Sequence, residues 1–334
     1  MQKFWPFFII ILLRSKNLIF LIFTLVNFEW FLITVGLQWM RFKINNYYEI
    51  NKFYIDFLGK KRNFYPDFLL VIWNYMKIVQ WAIKTPKQIA NIRESWKYLN
   101  EMLLILREKA KAWVALIELE FVAEHFIQQH NLKWAFKWYD GYPTNLCLSV
   151  NNCVVHWIPD DYILKNGDLL KIDAWVIYEK WYSDSAISVV IWWELANPLA
   201  HELTTVTKNA LDNWNATIQP WKAMYDYGNT VATTVRAAWF KVLKDLTGHG
   251  CGNAVHERPY VFNYGHPDMK KQFFTPGMVL CFEPITAVMS DDFFMEYGDE
   301  WMYTQHWDLG CQWEYMLLIT ENGYEMMSGI TEWE

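Results

Sequence analysis

The chain has 334 residues, of which 53% are hydrophobic and 20% charged, so a wholly disordered protein is excluded. Thirty basic against 36 acidic residues leave a formal charge of −6, which gives no electrostatic footprint for nucleic acid. Five scattered cysteines with no CxxC pair argue against a disulfide scaffold or a cysteine-type zinc site and suit a reducing compartment. The composition is also odd: 21 Trp stand against 14 Gly, where roughly 7% Gly is ordinary.

Residues 1–80 read as a hydrophobic N-terminal extension, distinct from residues 81–334. Phe4–Leu13 is an apolar run closed by Arg14 and Lys16. Leu18–Met40 is long enough to cross a bilayer, yet it carries Asn27, Glu29 and Gln38. Three readings stand for this segment: a membrane anchor over residues 18–40, a start assigned upstream of the true one (with Met76 opening the real chain), or a soluble extension. A cleaved signal peptide is disfavoured, because no Ala-x-Ala-like site follows the first run.

From Thr85 the pattern is that of a globular enzyme. Thr85-Pro86-Lys87-Gln88 is a capping box with Pro at the first helical position. Ile89, Ile92, Trp96, Leu99, Leu103 and Leu106 follow at helical spacing. A second helix is predicted over Leu116–His130. Strands are predicted over Cys147–Val150 and Val154–His156, then an antiparallel pair over Leu169–Tyr178 and Asp184–Ile191 with a turn at Glu179-Lys180. Helices over Pro198–Thr217 and Thr230–Asp245 follow, and strands dominate from Val279. Helices then strands, run twice, make an α+β pattern. A local repeat supports the doubling. Asn166-Gly167-Asp168-Leu169-Leu170-Lys171-Ile172-Asp173 and Pro276-Gly277-Met278-Val279-Leu280-Cys281-Phe282-Glu283 each run from a turn through a strand to an acid.

Four acids sit in apolar strand surroundings: Asp173, Asp184, Glu283 and Glu314. Each must find a cation or stay protonated if buried. Gly248-His249-Gly250-Cys251-Gly252 bends backbone closely around an imidazole, and His256 follows within Val255-His256-Glu257-Arg258-Pro259. Four carboxylates and one imidazole suit two divalent ions of the Mn, Fe, Co or Zn kind, and four negative charges balance two such ions. A water between them is acidified into a nucleophile near neutral pH.

At these residues the chain resembles type I methionine aminopeptidases, over about residues 83–330. Tyr139-Asp140-Gly141-Tyr142-Pro143 is similar to the family's substrate-pocket loop, and His156-Trp157-Ile158-Pro159 to its His-Gly-Ile-Pro signature. Asp173 and Asp184 have the family separation. Gly248-His249-Gly250 with His256-Glu257-Arg258-Pro259, Phe282-Glu283-Pro284 and Gln312-Trp313-Glu314 match the remaining motifs. The resemblance implies a pita-bread pseudo-twofold fold, two helix-helix-strand halves around a central antiparallel sheet. It implies metal ligation by Asp173, Asp184, His249, Glu283 and Glu314, with Asp184 and Glu314 bridging two divalent ions. It implies Glu283 as general base, His156 as the group that contacts the scissile peptide and shuttles a proton, and His256 as stabiliser of the carbonyl oxygen. Tyr139, Tyr142 and, with a one-residue gap, Trp301 would line the methionine pocket, which His156 and His256 also touch. The implied activity is removal of the N-terminal methionine from nascent chains, with a small second residue preferred.

The implied partners are polypeptide N-termini at the ribosome, without direct nucleic-acid contact, for a cytoplasmic monomer; the membrane enters only if residues 18–40 are an anchor. Alternatives are an Xaa-Pro peptidase of the same fold and a non-catalytic binding relative. Two positions depart from the family: Tyr315 stands for the usual His and Lys180 for a turn Gly. Trp96, Trp113, Trp157, Trp175, Trp221 and Trp239 also stand where the resemblance has Gly. UGA is read as Gly in some bacterial codes and as Trp in others, so the expectation is that these six are glycines. Were they Trp, Trp157 and Trp175 would crowd the substrate channel.

Overall fold

The computed structural model describes residues 8–15, 18–25, 82–192, 196–213, 217–295 and 301–327. The chain divides into two units, Met1–Ile72 and Trp73–Glu334. In the first, β1 (Phe8–Ser15) and β2 (Leu18–Leu25) pair as an antiparallel hairpin, from Phe8 opposite Leu25 to Ser15 opposite Leu18. Residues 18–25 of the expected membrane span are thus strand; residues 26–40 lie outside the described residues. Among the described residues no helix is long and apolar enough to cross a membrane.

The second unit opens with α1 (Pro86–Lys109), and the capping box forms: Gln88 N–H donates to Thr85 Oγ1 and Thr85 N–H to Gln88 Oε1. Ile92, Leu99, Leu103 and Leu106 are buried at the predicted spacing, each such burial contributing about 1.5–3 kcal/mol. Then come α2 (Leu116–Gln129), β3 (Leu146–Val150), β4 (Cys153–Val155), β5 (Leu169–Tyr178) and β6 (Trp181–Val190). The second half supplies α3 (Pro198–Asp212), α4 (Met224–Ala237), β7 (Lys241–Val242), β8 (Thr247–Gly250), β9 (Glu257–Phe262), β10 (Val279–Phe282), β11 (Ile285–Ala287), β12 (Phe293–Met295), β13 (Met302–Thr304), β14 (Gly310–Gln312), β15 (Tyr315–Thr320) and β16 (Gly323–Met326).

Three of these elements differ from the sequence reading; the strand expected over Asp184–Ile191 already opens at Trp181, because its pairing with β5 starts right after the two-residue turn. The helix expected over Thr230–Asp245 lies over Met224–Ala237, because Met224, Tyr227, Val231 and Val235 form its buried face. The helix from Pro198 ends at Asp212, with Asn213 as its C-cap.

The halves correspond. In each, a pair of helices precedes a strand entered through a glycine in the left-handed region, Gly167 (φ +86°) before β5 and Gly277 (φ +91°) before β10. One half carries the sheet β3-β5-β6, the other β16-β15-β10-β8-β9. An isolated antiparallel bridge between Ala186 of β6 and Glu314 stitches them. Its Glu314 N–H donates to Ala186 O at 2.8 Å, and Ser185 and Ser188 hydroxyls donate to the carbonyls of Glu314 and Gln312. This is the pita-bread architecture, with the seam between its halves running past three of the predicted acids.

Candidate metal centre

Strand register places the first two acids. β5 and β6 join through a two-residue turn, Tyr178 opposite Trp181, so Asp173 faces Ala186 and Asp184 faces Trp175. Opposed residues of an antiparallel pair share a face. A separation of eleven across this turn therefore puts both carboxylates on one face, two positions apart along the ladder. Glu314 arrives from the other half at the bridge to Ala186. Glu283 follows the last residue of β10. His249 lies in β8, whose Gly248 allows the close approach: a Cβ there would stand 2.2 Å from Cys281 O.

The five predicted ligands converge. His249 Nε2 is 3.3 Å from Glu283 Oε1 and 3.6 Å from Asp184 Oδ2. Donor atoms of Asp184, His249, Cys281 and Glu314 lie within 4.8 Å of one another. Asp173 adjoins this group; it accepts a hydrogen bond from Gln312 Nε2 at 3.2 Å, and its charge presses on Asp184, Glu283 and Glu314.

Burial dominates the electrostatics. It pushes Asp173 up to about 7 and Asp184, Glu283 and Glu314 well above the usual carboxylate range, the last three helped by mutual repulsion. Burial also pushes His249 and His256 down to about 4, and for His256 the neighbouring His249 and His156 add to the effect. Asp173 Oδ1, Asp184 Oδ1 and Glu314 Oε1 are buried with no hydrogen-bond partner. Orphaned acceptors are costly in an apolar interior. Three of them, on acids gathered about one imidazole, suit divalent cations.

The remaining predicted residues surround this cluster. The His256 ring meets His249 edge-on at 4.5 Å, and Tyr139 Oη stands 3.5 Å from His256 Nδ1. His156, itself at φ +69°, has its N–H on Cys147 Sγ at 2.9 Å. Tyr142 donates to the carbonyls of Leu146 and Trp157 and is buried. Trp301 stacks at 4.7 Å on Trp157, the residue whose carbonyl accepts from Tyr142. Trp175 stacks on Phe136 at 3.7 Å and also meets Tyr139 and His256 edge-on. Its indole therefore stands among the rings of Phe136, Tyr139 and His256.

Sequence reasoning missed three participants. Cys281 lies in β10 two residues before Glu283, and its sulfur stands within 4.8 Å of donor atoms of Asp184, His249 and Glu314. Phe136 belongs to an irregular stretch with no pattern. Glu257 was read only as part of a motif, yet its carboxylate receives Lys84 and the N–H groups of Asn253 and Ala254.

A pita-bread fold closed over four acids and an imidazole is the plan of a metal-dependent peptidase. Residues 90–321 match the family described as metallopeptidase family M24, and the chain belongs to that family. It is 33% identical to a methionine aminopeptidase of Mycoplasma capricolum over 254 residues, 74% of this chain and 98% of the relative. Its fold matches the methionine aminopeptidase of Thermotoga maritima with a TM-score of 0.70 at 28% identity, covering 74% of this chain and 98% of that one. The prolidase of Pyrococcus horikoshii shares the fold alone, with a TM-score of 0.57 at 18% identity over 74% of this chain and 63% of that one.

Proposed function

We infer that the protein removes the N-terminal methionine from newly made polypeptides, with residues 81–334 as the catalytic domain. The observation that carries the reading is the gathering of buried acids about His249, with Glu283 Oε1 at 3.3 Å and Asp184 Oδ2 at 3.6 Å beside three carboxylate oxygens that have no hydrogen-bond partner, in a chain whose curated relatives are methionine aminopeptidases. Asp173, Asp184, His249, Glu283 and Glu314 would hold two divalent ions. Bound there, the ions would supply Lewis-acid polarisation of the scissile carbonyl and acidification of the attacking water.

The chain's own groups do the rest. Glu283 takes the proton of the attacking water and returns it to the leaving amine. His256 is neutral near pH 7, because burial keeps its ring from charging, so a ring N–H is free to donate to the carbonyl oxygen as negative charge develops. His156, near enough to affect the charge on His256, holds the peptide group on that side. Tyr139, Tyr142 and Trp301, joined by Phe136, offer aromatic walls suited to a flexible, polarizable thioether. A small second residue is preferred, as the family resemblance implies.

The substrates are nascent chain ends at the ribosome, met by a cytoplasmic monomer. Native N-terminal sequencing tests the extension: a peptide from residues 41–75 in the mature protein overturns a start at Met76.

The test of function sets Met-Gly-Gly against an Xaa-Pro dipeptide, using protein stripped by chelation and reloaded with Mn, Co or Zn. Metal-dependent release of methionine, lost in Asp184→Asn, is expected. Faster cleavage of the Xaa-Pro bond would move the assignment to the prolidase-like class. Intact folding with no metal uptake would favour a non-catalytic relative.

A further inference from the structure

Six of the thirteen described tryptophans have φ in the left-handed region: Trp113 (+76°), Trp138 (+76°), Trp192 (+85°), Trp221 (+69°), Trp239 (+66°) and Trp307 (+58°). Only a few per cent of non-glycine residues adopt such angles, and a bulky side chain there is a genuine outlier. The cause is the approach of Cβ to the following carbonyl oxygen, which glycine alone escapes.

Local hydrogen bonding identifies what several of these positions demand. Trp239 follows the C-cap of α4. Phe240 N–H reaches back to Val235 O at 3.2 Å and Trp239 N–H to Arg236 O at 2.9 Å. That pair of bonds is the Schellman motif, whose left-handed residue is usually glycine. Trp221 follows Pro220 in a turn closed by Lys222 N–H on Gln219 O at 3.1 Å. Proline then a residue of positive φ is the type II turn, which calls for Gly or Asn at the second place. Trp307 ends a turn closed by its own N–H on Thr304 O at 3.0 Å, a position favouring glycine. Gly167 and Gly277 show the same chain using real glycines for the same angles.

Solvent exposure is a second, independent anomaly. All six indoles are exposed, from 47% for Trp221 to 88% for Trp239. They stand on separate turns, and among the described residues no two stack on one another, so they do not assemble an aromatic docking face.

We propose that Trp113, Trp138, Trp192, Trp221, Trp239 and Trp307 are glycine in the protein as its own cell makes it, their codons being UGA decoded as glycine. Three of the six, Trp113, Trp221 and Trp239, are also positions where the family resemblance has glycine; Trp138, Trp192 and Trp307 are assigned by backbone geometry alone. Trp96, Trp157 and Trp175 lie outside the left-handed region, and the geometry assigns them nothing. The count of 21 Trp against 14 Gly then becomes 15 against 20.

Peptide mass spectrometry of the protein purified from its source cells decides the matter. Glycine masses at all six positions are expected, and a tryptophan mass at any of them overturns the assignment there. A second arm compares the literal chain with one carrying the six Trp→Gly changes, both made in a host that reads UGG as Trp. The six-glycine protein is expected to melt at higher temperature and to aggregate less. A six-glycine protein that melts no higher than the literal chain overturns the structural basis of the proposal. Neither readout depends on peptidase activity, so a failure here is separable from a failure of the functional assignment.

Discussion

Lys84 and Glu257, 173 positions apart, form a buried ion pair that ties the entry of α1 to the loop carrying His256. Glu257 also accepts the N–H groups of Asn253 and Ala254 at 2.6 and 3.0 Å through its other oxygen. Removing one partner of a buried pair strands the other charge and costs about 3–5 kcal/mol. Lys84→Met is therefore expected to lower the unfolding free energy by about that amount. Because His256 is the next residue, turnover should fall more than KM rises. Equal losses in both would show that the pair holds the fold without holding the histidine.

His256→Ala removes the donor proposed for the carbonyl oxygen. Loss of one such donor lowers kcat by about 10²–10³. Steady-state kinetics on a Met-Ala peptide should show that drop with metal content unchanged. A variant that keeps full kcat would remove His256 from the reaction.

Metal removal should make stability depend on pH in a definite direction. Without cations, Asp173 sits near 7 and Asp184, Glu283 and Glu314 well above their ordinary range, so the folded state binds more protons than the unfolded one. Their contribution is unfavourable above the raised values and is relieved as pH falls toward the carboxylate range. His249 and His256, pushed down to about 4, oppose this below the ordinary histidine range, but two groups face four. The stripped protein is expected to resist urea better near pH 6 than near pH 8. Adding metal near pH 7 should release protons, measurable by calorimetry in buffers of different ionisation enthalpy.

Lys171 is fully buried in β5, with its ammonium on the carbonyls of Asn151 (2.8 Å) and Leu169 (3.3 Å), and burial lowers it from 10.5 to about 8. A lysine depressed when folded costs stability below the folded value, and the cost fades as pH rises toward the unfolded one. Across that window the change is about 3 kcal/mol. Both carbonyls keep backbone donors, Gly310 N–H and Asn151 N–H, so the ammonium is not their only partner. Lys171→Met should therefore be more stable near pH 7 and should lose the rise in stability between about pH 8 and 10. Urea titrations at the two ends of that range read it directly.

Much of the site was legible because its parts are local. The spacing of Asp173 and Asp184 follows from a two-residue hairpin, and the apolar runs before Glu283 and after Glu314 mark strands whose acids cannot face water. Other features were hidden because they are made only by packing. Phe136 meets Trp175 across 39 positions of chain, and Lys84 finds Glu257 across the whole domain. The start of α4 was misplaced because its buried face begins at Met224, before the run that looked most helical. The backbone angles of Trp138, Trp192 and Trp307 leave no mark in the sequence beyond the unusual Trp count.

The bridge between Ala186 and Glu314 has one more consequence. Two main-chain hydrogen bonds join the residue bearing one acid to the strand bearing Asp184. The gap between the backbones carrying those two acids is therefore set by the ladder repeat of a sheet and is the same whichever side chains surround it. The seam acts as a ruler: cations of different radius must be met by rotation of the acid side chains, because the backbone on either side has no slack to offer.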